Sequence, residues 1–229
     1  MSIDYVHIMA SGRSHVLRNA LGWILIGGTL AMGVGAALHP MLPADLAQQL
    51  EVMGTTPGWA GIHVLMLLGS AAVMIGIWVR VLDAPHRTRV AWVLALLTIL
   101  VGLACNASNI AFMARDGTAD AARFLHGDAS MLAQFGSTHD RSLAVARAGN
   151  TLVAIGCLAI AALEWRDAAR PRWIAALALV AGIGGCIGVL LFDPASRGAV
   201  AAVALLSGWS LGTAWLAVRR GSPMGSAVV

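Results

Sequence analysis

The sequence contains no lysine, and all fifteen of its basic residues are arginine. Imine chemistry on a side-chain amine is therefore excluded, and a covalently held retinal with it. Acidic residues number only eleven, and they fall in loops, tails or helix ends. A proton- or sodium-driven transporter usually keeps a carboxylate inside a span, so coupled transport loses support. Cysteine is confined to Cys105, Cys157 and Cys186, each within an apolar run and without a CxxC pair. These read as small buried residues. No P-loop occurs, which removes ATP-driven work for this chain, and an intramembrane serine hydrolase is not expected.

What is abundant is apolar surface. Hydrophobic residues make up 59% of the chain and the mean hydropathy is +0.79. A soluble domain cannot bury that much, so a lipid bilayer is the expected partner. A span takes about 20 apolar residues, and six stretches qualify: 20–39, 59–79, 90–113, 143–163, 173–192 and 198–218. The expected fold is all-α, a polytopic membrane bundle of six transmembrane helices forming one domain over 1–229.

Two longer connections face one side. The first holds a short helical stretch around 46–53, and the second, 114–138, is expected to carry short helices. Thr118 and Asp128 or Ser130 suit N-caps there. Phe124, Leu125, Met131, Leu132 and Phe135 are expected on the membrane surface. Ser137-Thr138-His139-Asp140 has capping-box spacing and is expected to open the fourth span.

Arginine gives the orientation. Arg13, Arg18, Arg80, Arg87, Arg89, Arg166, Arg170, Arg172, Arg219 and Arg220 flank one side, and only Arg115, Arg123, Arg141 and Arg197 lie in loops on the other. Ten against four in short loops predicts both termini in the cytoplasm. Trp23, Trp78, Trp92, Trp165, Trp173 and Trp215 fall at the same interface, as an aromatic belt would. The lysine-free, Ala/Gly/Arg-rich composition points to a GC-rich bacterial genome, hence a bacterial inner membrane. The pI near 9.8 then reflects topology. No basic patch is interleaved with aromatics, so nucleic acid is not an expected partner.

Polar residues inside the apolar runs mark where chemistry would sit. Asn106 and Asn109 are spaced i,i+3 on the third span, as are Arg147 and Asn150 on the fourth, so each pair shares a helical face. At 1.5 Å rise per residue, Asn109 and Arg147 both lie about 5 Å deep, and Asn106 and Asn150 about 9–10 Å deep. The expectation is two polar rungs, with Arg147 turned into the bundle as the centre of a ligand pocket. Snorkelling of Arg147 and asparagines acting only as interhelical glue form the competing reading.

Histidine gives the second signal. His39, His63, His126 and His139 lie toward the side away from most arginines, and imidazole is the commonest ligand for zinc, copper and haem iron. None has the spacing of a zinc motif. The resulting expectation is an inner-membrane protein with an outward-facing polar pocket for a small or anionic ligand or a metal. An outer-leaflet enzyme or haem protein using the histidines is a second reading, and an accessory subunit of a membrane complex, with a partner membrane protein, a third. No nucleophile joins the histidines, so no catalytic residue is named and binding is favoured over an enzyme.

Overall fold

The computed structural model describes the backbone of residues 3–191 and 197–221, and side chains from 15–190 and 205–220. The described chain is helical: α1 (Ile3–Leu38), α2 (Leu46–Thr55), α3 (Trp59–Gly76), α4 (Val79–Leu82), α5 (Arg89–Phe112), α6 (Thr118–Leu125), α7 (Met131–Arg166), α8 (Arg172–Leu191) and α9 (Arg197–Gly221). A π-helical turn, Met113–Gly117, joins α5 to α6. Among the described residues five helical segments are long and apolar enough to cross a membrane: His15–Leu38, Trp59–Leu82, His86–Leu125, Met131–Arg166 and Arg172–Leu190. Only about a third of each is buried, and large apolar side chains such as Leu30, Leu68, Leu94, Val101 and Leu190 point outward. That inversion is what lipid contact requires. The end of the fifth expected span at 192 and the side chains of Arg13 and Arg197 lie outside the described residues.

The long helices form a closed ring, each packed on the next in the order α1, α3, α5, α7, α8, α9 and back to α1. Small residues set the spacing. A Cβ on Gly102 of α5 would sit 2.5 Å from the Gly149 carbonyl oxygen, and one on Gly149 would sit 2.6 Å from that of Gly102. The backbones of α5 and α7 therefore touch at this crossing, which only glycine permits. Gly28 and Gly69 bring α1 and α3 together in the same way.

Two cores result. One fills the arginine-rich half of the ring with Leu25, Ile77, Trp92, Leu96, Ile160, Ile174 and Trp209. The other lies under a cap made of α2, α6 and the start of α7, where Leu50, Met53, Trp59, Phe112, Met113 and Phe135 pack together. Met131 and Phe135 are buried, with Phe124 and Leu132 partly covered. Of the five side chains expected on the membrane surface, only Leu125 is well exposed. The cap consumes the others because burying each large apolar side chain is worth about 1.5–3 kcal/mol.

The capping-box expectation also fails. α7 runs unbroken from Met131 to Arg166, and Ser137 and Thr138 donate to the Gln134 carbonyl at 3.0 and 3.1 Å. This is the backward bonding that hydroxyls adopt within a helix.

The arginine-rich end is tied internally. Arg80 is fully buried; its Nε donates to Glu164 at 3.0 Å and its Nη2 to Asp167 at 2.7 Å. Arg170 holds both oxygens of the same glutamate at 3.2 Å. The Arg80 guanidinium stacks 4.0 Å from the Trp92 ring centre. Glu164 is thus an acid at a helix end, as expected, but fully buried there by its arginine partners. Trp92, buried beneath Arg80, is not part of an interfacial belt, whereas Trp23, Trp165, Trp173 and Trp215 are exposed.

Candidate functional site

A cavity of about 540 Å³ lies between the two cores. It begins at His39, Pro40, Met41 and Leu42, where α1 ends, and reaches Ser70, Cys157, Ala181 and Leu206 near the middle of the ring. Most of its wall is apolar. Its polar side chains are His39, His63, Ser70, Asn106, Asn109, His139 and Asn150, and among the described residues no Asp, Glu or Arg lines it. The size suits one small organic molecule.

Each polar group is positioned by its helix. The Gly102–Gly149 contact brings Asn106 and Asn150 into reach one turn or less away, and Asn106 Nδ2 donates to Asn150 Oδ1 at 3.0 Å. Asn109, one turn further along α5, accepts from the Ser142 hydroxyl at 2.6 Å. Three of the four residues expected to form two rungs therefore do line one cavity.

Arg147 does not. It is exposed, lies outside the cavity wall, and Asn109 has Ser142 as its partner. The physical reason is angular. Residues Ala146, Gly149, Asn150 and Val153 face α5 and the cavity. At 100° per residue Arg147 is about 60° from Asn150 but about 110° from the centre of that face. Sharing a face by i,i+3 spacing left open which edge of it the arginine occupies.

The histidines divide three to one. His39 and His63 meet at the α1–α3 junction, with ring centroids 5.0 Å apart and planes inclined at 69°. Trp59, one turn before His63, packs on both rings, at 4.9 and 4.5 Å, and its indole N–H is anchored on the Met113 carbonyl at 3.1 Å. His39 Nδ1 donates to the Pro40 carbonyl at 2.7 Å and His63 Nδ1 to the Trp59 carbonyl at 2.9 Å. A carbonyl only accepts, so each ring carries its proton on Nδ1, and in the neutral ring Nε2 keeps its lone pair. Burial lowers the His39 pKa from 6.5, against the opposing pull of the Pro40 carbonyl. His139 lines the same cavity, stacked 4.9 Å from Phe135. His126 stands exposed at the end of α6, bonded to its own helix through the Ala122 carbonyl. Among the described residues no three His, Cys, Asp or Glu side chains come together in a metal-binding group.

Ser70, on the cavity wall, and the buried Glu164 pairing were not anticipated. The run Gly208-Trp209-Ser210-Leu211-Gly212 has the letter pattern of a hydrolase nucleophile elbow. Ser210, however, is buried in the continuous helix α9, whereas an elbow needs a sharp strand-to-helix turn that exposes the hydroxyl. No family model, curated protein or solved structure matches this chain.

Proposed function

We propose that this chain is an integral protein of a bacterial inner membrane that binds a small, largely apolar molecule bearing a neutral polar head. It spans the bilayer six times, with α9 as the sixth crossing and both termini in the cytoplasm. The cavity opens toward the outer side, and its His39 end forms the mouth. The arginine asymmetry supports the orientation.

The observation that carries the reading is the chemistry of the wall: extensive apolar surface with asparagine, histidine and serine as its polar side chains, and no charged side chain among the described residues. Such a wall favours neutral hydrogen-bonding groups, since a buried ion without a counter-charge is costly. An anionic ligand loses its anchor, because Arg147 stands outside. The reading is of binding, and no reaction is assigned.

The test is chemical analysis of extracts from protein purified out of its native membrane. One compound should accompany the wild-type chain and the Arg147→Leu variant. It should be lost from Asn150→Leu, and from Ala146→Phe, which fills the cavity. A compound lost on changing Arg147 but retained without Asn150 would move the site to the arginine. No enriched compound, or equal recovery from every variant, would remove the reading.

A further inference from the structure

We propose that His39 and His63 form a binding site for monovalent copper at the cavity mouth, completed by the thioether of Met66. The two histidines share the mouth of the ligand cavity, but the copper proposal does not rest on the organic-ligand reading: copper binding and compound recovery are separate measurements and either can fail alone.

The first support is the state of the two imidazoles. Both Nδ1 atoms are held by backbone carbonyls, the outer-shell arrangement that fixes a metal-ligating histidine and raises the basicity of its other nitrogen. The second is separation. Two imidazoles bound through Nε2 to one tetrahedral ion, with bonds near 2.0 Å, have ring centres about 5 Å apart; here they are 5.0 Å apart. The same spacing is too short for the two faces of a haem, where a linear arrangement with bonds near 2 Å puts ring centres more than about 6 Å apart.

The third support is the neighbouring sulfur. Met66 follows His63 by three residues on α3, so it shares that face. It packs on Gly35 of α1, one turn before His39, where a Cβ would collide with the Met66 Cγ. Met66 therefore lies within about one turn of both histidines, on the cavity wall.

Charge and softness choose the ion. No carboxylate lines the cavity among the described residues, so a divalent ion would enter without compensation from them. Thioether sulfur with imidazole favours monovalent copper over zinc. The absence of a third His, Cys, Asp or Glu at the pair among the described residues leaves zinc short of its usual four ligands.

The competing description is an aromatic cluster, two imidazoles packed on Trp59 with no metal. Anaerobic titration of metal-stripped, detergent-purified protein with Cu(I) against a chromogenic chelator separates the two. One copper per chain is expected, lost in both His39→Phe and His63→Phe, with zinc failing to displace it. X-ray absorption should show nitrogen and sulfur neighbours, and Met66→Leu, of similar volume, should remove the sulfur signal while the nitrogen neighbours and the thermal stability of the protein are retained. Absence of stoichiometric copper in the wild type would overturn the proposal. So would binding that survives both histidine changes, a preference for zinc, or a copper spectrum unchanged by Met66→Leu.

Discussion

The two ends of the ring handle buried polarity in opposite ways. At the arginine-rich end, polar groups neutralise one another: two guanidiniums close on Glu164, Asp167 adds a further bond, and Trp92 covers Arg80. At the other end the polar groups among the described residues are Asn, His and Ser, spread over four helices and left around open volume. Oppositely charged groups that satisfy each other lock helices together. Neutral groups around a void keep bonding capacity for something else. On the proposed reading, the contrast gives stability to one end and binding to the other.

The sharpest way to break that division is at Glu164. Glu164→Gln leaves Arg80 and Arg170 buried without their shared counter-charge, and removing one partner of a buried ion pair costs about 3–5 kcal/mol. Thermal unfolding in detergent should show the largest loss of any single change here. A stable variant that lost its bound compound would reverse the assignment of the two ends.

Next in size is the crossing that builds the cavity wall. In Gly149→Leu the new Cβ would lie 2.6 Å from the Gly102 carbonyl oxygen and 2.8 Å from the Cys105 Cβ. Overpacking of this kind costs about 1–3 kcal/mol. It should also part Asn106 from Asn150, so compound recovery and melting temperature should fall together.

Acid should act at the cavity mouth. The folded-state pKa of His39 is lowered from 6.5 by burial, so the folded protein binds fewer protons than the unfolded chain just below that value. Stability from this residue is present above pH 6.5 and declines as pH falls toward the folded pKa, then levels off. Melting curves across this range should show the decline, and His39→Gln should flatten it. An unchanged slope in the variant would place the titrating group elsewhere.

The smallest stability effect is expected at Asn106. Its bond to Asn150 is an interhelical one within the membrane, worth about 0.6 kcal/mol. Asn106→Leu should barely move the melting temperature yet sharply reduce compound binding. Comparable losses in both would make the asparagine pair structural glue.

The placement of five of the six expected spans was largely legible because lipid forces long apolar runs, which composition alone exposes. The matched depths of Asn106 and Asn150 were legible too, since rise per residue and antiparallel order fix depth. Rotation was not. Arg147 shares a face with Asn150 but lies on its outer edge, and only the Gly102–Gly149 contact reveals where that face is centred. The buried glutamate was hidden for a related reason. Glu164, Asp167 and Arg170 look like ordinary helix-end charges until the turn after Gly76 carries Arg80 inward to meet them. Likewise Ser137-Thr138-His139-Asp140 has the letters of a helix start, but cap packing of Met131 and Phe135 carries the helix through it.

The division between a binding end and a locked end is tested most directly by an experimental density map of the protein purified from its native membrane without added ligand. Non-protein density is expected in the cavity beside Asn106, Asn150 and Ser70, with the space around Arg80, Glu164 and Arg170 closed by side chains alone. A collapsed, empty cavity, or a bound molecule seated among those arginines instead, would contradict it.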